Sequence, residues 1–148
     1  MKKNLPILIA LISVFTLIAG LVQMVAPGFV LGVVGASQTA TSQYFFALIG
    51  MFMVLFGGLM LVTVYQAPVN RAAVVFCALQ KLGACLAVTI AFSHGLFAWP
   101  ALGVALFDGF SGLLFLYYLR ILTYPQTEAT PTGPSSPDIQ PNPVPHNP

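Results

Sequence analysis

The sequence predicts an all-α membrane protein, a four-transmembrane-helix up-down bundle followed by a disordered proline-rich C-terminal tail. Three observations predict it. Of the 148 residues, 58% are hydrophobic and only 5% are charged, against roughly 25% charged in an ordinary globular protein, so most of the chain faces lipid. Four separate stretches reach the about 20 apolar residues that a helix needs to cross the hydrocarbon core. From Pro125 onward the composition turns abruptly to Pro, Ser, Thr, Asn and Gly.

The first span covers residues 5–26 and is closed by Pro27 and Gly28. Lys2 and Lys3 ahead of it give it the look of a signal peptide. Its apolar run is longer than the roughly 7 to 15 residues of a signal h-region, and no small-x-small cleavage site precedes Pro27, so it reads as a retained helix. The connection over 27–43 is longer than a tight helical hairpin needs, and its Phe29–Val34 segment suits the membrane interface. The second span, 44–66, ends before Pro68 and, like the first, carries almost no polar side chain. The third, 69–94, is interrupted by Gln80 and Lys81. The fourth, about 97–124, starts as early as Leu96 or as late as Pro100 and contains Asp108. Short connections on either side of the third span favour antiparallel neighbours. The absence of an internal repeat gives no support to an inverted-repeat transporter.

Positive charge orients the bundle. Lys2 and Lys3 precede the first span, Arg71 sits between the second and third, and Arg120 lies near the end of the fourth, all on one side. The loops around Ser37–Ser42 and Gly95–Trp99 have no Lys or Arg, so the expected topology has both termini in the cytoplasm. The net charge of +2, from five Lys/Arg and three Asp/Glu, is scattered. It forms no basic cluster that could track a nucleic-acid backbone, which leaves lipids, other membrane subunits or further copies of the chain as the expected partners.

Two units result, a transmembrane domain over 1–124 and a cytoplasmic tail over 125–148. The tail cannot bury enough apolar surface to offset its ordering entropy. The spacings Pro131, Pro134, Pro137 and Pro141, Pro143, Pro145 suit polyproline II, either as a solvated tail or as a docking motif for an aromatic groove.

The ionisable residues within the spans are confined to the second hairpin. Lys81 near the middle of the third span costs roughly 2.5–3.5 kcal/mol on insertion scales and needs a partner. Asp108 is the acidic residue the spans offer, and a turn near His94 and Gly95 sets the two at similar depth on antiparallel helices. Both lie on stripes of small residues. Gly83, Ala87 and Ala91 form a small-xxx-small ridge on the third span; Ala101, Ala105 and Gly109, with Gly112 a turn beyond Asp108, form its counterpart on the fourth. The third and fourth spans are therefore expected to pack tightly, with Lys81, Asp108 and the adjacent Gln80 as an intramembrane ion pair or polar pocket. Such a pair serves either as a proton path or polar-ligand site, or as a staple that fixes helix register.

Other residues carry weaker signals. His94 reads first as a cap of the third span, and only as a weak candidate axial ligand for a haem or chlorin, since it has no second ligand beside it. Gln23 and Gln80 suit interhelical hydrogen bonds, while Trp99, Tyr117, Tyr118 and Tyr124 suit interface anchoring or packing. Cys77 and Cys85 lie eight positions apart in one helix, roughly 12 Å at the helical rise, too far to bridge each other or share a metal ion. No catalytic constellation and no metal site is expected.

Over about residues 44–122 the chain resembles the small bacterial four-helix membrane proteins described as DoxX-like. The resemblance rests on Tyr44, Phe45, Phe46 and Gly50, on Gly57 and Gly58, on Lys81-Leu82-Gly83, and on Phe107-Asp108-Gly109-Phe110 followed by Leu113-Leu114-Phe115. It implies a four-helix fold in a bacterial inner membrane. Some members of that group are similar to membrane subunits that handle quinones or thiol redox chemistry, but this chain has no paired cysteine motif and no second ligand-type histidine. Three functions follow as expectations: a non-enzymatic accessory or scaffolding subunit of a larger membrane complex; a small transporter or proton-coupled carrier using Lys81 and Asp108; or a quinone-reactive redox subunit, with a quinone or tetrapyrrole as its cofactor.

Overall fold

The computed structural model describes residues 4–123; Lys2, Lys3, Tyr124 and the tail over 125–148, with the readings placed on them, lie outside the described residues. The described chain is all helical: α1 Leu5–Val25, α2 Pro27–Val33, α3 Ala40–Tyr65, α4 Arg71–Ser93 and α5 Pro100–Thr123. All but the short α2 are long and apolar enough to cross a membrane, and the protein is a multi-pass membrane protein.

Local chemistry sets the helix ends, and it moves several of the expected boundaries. Pro27 both ends α1 and starts α2, since a proline at the first helical position gives up an N–H that has no intrahelical partner anyway. The 27–43 connection thus contains a helix of its own, with Leu31 and Val34 turned inward and Phe29 and Val33 exposed. α3 begins at Ala40, four residues earlier than the apolar run suggests. Thr39 and Ser42 cap each other there: the Ser42 N–H donates to Thr39 Oγ1 at 3.0 Å and the Thr39 N–H to Ser42 Oγ at 2.9 Å. α4 starts at Arg71 rather than at 69 because Asn70 is its cap, its Oδ1 accepting from the Ala73 N–H at 3.2 Å. α5 starts at Pro100, the later of the two expected positions, after a turn over 94–99.

The helices pair as two hairpins. α1 lies along α3 and α4 along α5, and contacts between the hairpins are sparser, chiefly α3 on α4 with a thin seam of α1 on α5. In the first hairpin the backbones themselves touch. A methyl group added at Gly20 would stand 2.7 Å from the Gly50 carbonyl oxygen, and one added at Gly50 would stand 2.7 Å from that of Gly20.

We call the end that carries the start of α1, the α3–α4 link and the end of α5 the base, and the end with α2 and the 94–99 turn the crown. The apolar core sits toward the base, where Ile9, Ile12, Met60, Val74, Cys77, Ala78, Phe115 and Tyr118 pack together. A guanidinium nitrogen of Arg71 donates to the Leu122 carbonyl at 3.2 Å there, tying the start of α4 to the end of α5. At the crown the hairpins join through one backbone contact, the Ala98 N–H donating to the Val34 carbonyl at 2.8 Å. Gly35, next to Val34, has φ +69° and lies against Ala98, where a Cβ would meet the Ala98 Cβ at 2.5 Å. Both the left-handed backbone and the close approach require glycine.

Candidate functional site

The buried ion pair is the centre of the site. Lys81 Nζ donates to Asp108 Oδ1 at 2.6 Å, with both side chains almost wholly out of contact with the exterior. Lys81 lies twelve residues before the end of α4 and Asp108 eight residues into α5, a difference in depth of about 6 Å at 1.5 Å per residue. The lysine stem spans that difference, running from a backbone nearer the base toward a carboxylate nearer the crown. The Phe107 ring lies against the ammonium, its centroid 5.1 Å from Nζ, and Phe107 meets Phe15 of α1 edge to face at 4.9 Å. A cation over an aromatic face is stabilised by the ring quadrupole. The α4 charge is thus held by two consecutive α5 residues, and the second of these contacts continues onto α1.

The two partners face different spaces. Asp108 lines a cavity of about 350 Å³ that opens between the hairpins toward the crown, while Lys81 lines a small void of about 10 Å³ toward the base; Gln80 lines both. The cavity wall is otherwise apolar, with Ile49 and Met53 of α3, Ala84 and Val88 of α4 and Val104 of α5, and Val30, Val34 and Phe97 at its crown end. Gln23 adds a polar edge: its Nε2 donates to the Phe46 carbonyl at 2.9 Å, an interhelical bond of the kind its position suggests. The void is more polar, with Ser13, Thr16, Cys77, Gln80 and Lys81 on its walls.

The small-residue ridges divide. On α5, Ala101 and Ala105 are buried, and Gly109 and Gly112 are held against α4: a Cβ on Gly112 would meet Leu82 Cγ at 2.7 Å and the Ala78 carbonyl at 3.2 Å, and one on Gly109 would meet Cys85 Sγ at 3.0 Å. On α4 the expected ridge is corrected. Gly83 and Ala87 are exposed, and a Cβ on Gly83 meets nothing within 4 Å. The packed face runs through Ala78, Lys81, Leu82 and Cys85 instead, because the lysine itself must face α5 and a helix cannot also present a residue two positions on. Ala87 and Ala91 line the cavity.

His94 is the exposed C-cap of α4, its backbone N–H donating to the Ile90 carbonyl at 3.1 Å, and it is not among the residues that line the cavity. A tetrapyrrole held by this histidine does not fit the cavity. Cys77 is buried, with its Sγ 3.5 Å from the Phe56 carbonyl, and Cys85 packs beside Gly109; both are free thiols. Tyr118 is part of the core, whereas Tyr117 and Trp99 are exposed.

Two buried hydroxyls escape a reading focused on charge. Ser13 and Thr16 recur with Gly20 and Gln23 at three- and four-residue steps along α1, and all four face inward. That spacing in an otherwise apolar span is the signal that marks its inner face.

The fold and the site together define a multi-pass α-helical membrane protein whose buried ion pair separates a crown cavity from a base void. No protein-family model matches the chain, and neither does any curated protein or solved structure.

Proposed function

We propose that the protein is a small membrane carrier that binds a lipophilic molecule with a hydrogen-bond-donating head, using the Lys81–Asp108 pair as its polar anchor. The observation that carries this reading is the partition just described: Asp108 on the cavity side, Lys81 on the void side. Lys81 neutralises the carboxylate through Oδ1, and Oδ2 takes no hydrogen bond from the described residues. A carboxylate only accepts, so the complementary head is a neutral donor such as a hydroxyl, with the Gln80 amide beside it. The apolar wall accommodates the remainder, as ligand cavities of this size generally do. A staple alone would need no cavity on one side of the pair.

In this reading the base, with Arg71 and Arg120, faces the cytoplasm, and the crown opens toward the other side of a bacterial inner membrane. A quinol is one member of the ligand class, and the DoxX-like resemblance points the same way. The test is native mass spectrometry of the tagged protein extracted from its membrane in mild detergent, beside an Ala84→Phe variant that fills the cavity. A lipophile-sized adduct on the wild type that is lost from the variant supports the reading. Extraction as part of a larger hetero-assembly without an adduct supports the accessory-subunit function instead. A bare chain or homo-oligomer sinks the carrier.

A further inference from the structure

We propose that the base void is a hydration site that holds one water molecule between Thr16 of α1 and Lys81 of α4. Thr16 is 2% exposed, and its Oγ1 is the one atom among the described buried side-chain nitrogens and oxygens without a hydrogen-bond partner. Thr16 and Lys81 line the same void, and its volume of about 10 Å³ is that of a single water-sized probe, about the least that admits a water. Buried polar groups left without a partner are rare, and the usual partner when protein supplies none is an ordered water.

The surrounding chemistry selects water over an ion. Lys81 has three N–H donors, of which Asp108 Oδ1 takes one. An ammonium at the wall repels a cation, and the space is too small for a hydrated anion. Water satisfies both sides at once, its oxygen accepting from Lys81 and one of its hydrogens donating to Thr16 Oγ1. Ser13 Oγ, which donates to the Ile9 carbonyl at 2.8 Å, keeps a lone pair for the other hydrogen. A buried water needs two to four polar partners, and these three meet that need; a methyl in place of the Thr16 hydroxyl removes one of them and takes up room in a void already at about the least volume that admits a water. The site gives the first hairpin a polar hold on the charge of the second, across the seam where direct contacts are sparse, and it stands whether or not the cavity binds a ligand.

The experiment is water-edited solid-state NMR on the full-length protein in lipid bilayers, reading magnetisation transfer from bound water to the Thr16 side chain and the Lys81 ammonium, in the wild type and in Thr16→Val. Transfer to both groups in the wild type, with the Lys81 signal lost and Tm lowered by several degrees in the variant, is the expected result. Absence of transfer to either group in the wild type overturns the proposal, and that spectrum decides alone if the variant does not fold. A folded Thr16→Val that keeps the Lys81 signal, or melts at or above the wild-type temperature, also overturns it, since replacing an unhydrated, unpartnered hydroxyl by a methyl costs nothing.

Discussion

Lys81 and Asp108 are joined at 2.6 Å by a side chain that climbs from one helix level to another, so the contact depends on the length of lysine as well as on its charge. Asp108→Asn leaves a buried ammonium without its counter-charge, and loss of one partner of a buried pair costs about 3–5 kcal/mol. The double change Lys81→Leu with Asp108→Leu leaves no charge and is expected to melt well above Asp108→Asn. Thermal unfolding in detergent compares them; a double variant less stable than the single one would refute the account of the pair as mutually neutralising.

Gly20 and Gly50 make the first hairpin sensitive to the smallest possible enlargement. Gly20→Ala drives a methyl against a backbone carbonyl that cannot rotate away, and overpacking of this kind costs about 1–3 kcal/mol. The expected outcome is a lower Tm and weaker amide-exchange protection along both α1 and α3.

Gly83 provides the opposite case. Its position is open, so Gly83→Ala is expected to hold or raise the Tm, because alanine is about 1 kcal/mol the better helix former. Gly112→Ala, one helix away and pressed against Leu82, is expected to lower it. If the two variants fall equally, the α4 face has been misassigned.

Gly35→Val tests the crown. A β-branched residue opposes both the positive φ and the Ala98 contact, so the Ala98–Val34 bond is expected to break while the base core persists. Hydrogen exchange should then show faster exchange at the Ala98 amide and unchanged exchange at Val74 and Ala78. Uniform acceleration across the bundle would contradict this separation.

The four spans and the Lys81–Asp108 pairing are legible in the sequence because lipid enforces both: long apolar runs have one use, and a charge inside one has to find the opposite charge. The start of α3 is not legible from hydropathy, since it depends on a hydroxyl pair, Thr39 and Ser42, in a polar stretch that reads as loop. The α4 packing face is misread for a related reason. Gly83, Ala87 and Ala91 satisfy a small-residue pattern, yet which stripe turns inward is decided by Lys81, whose rotation fixes the rest of the helix. Thr16 stays hidden because a single hydroxyl in an apolar span has an intrahelical carbonyl as its ordinary partner, and only the packed structure reveals that it lacks one.

The two hairpins are joined covalently at the base by the short link between α3 and α4, and at the crown they are clasped by the backbone hydrogen bond from Ala98 to Val34. A pair of arms tied at one end and clasped at the other parts first at the clasp, so the crown is the end from which the described bundle is expected to unzip.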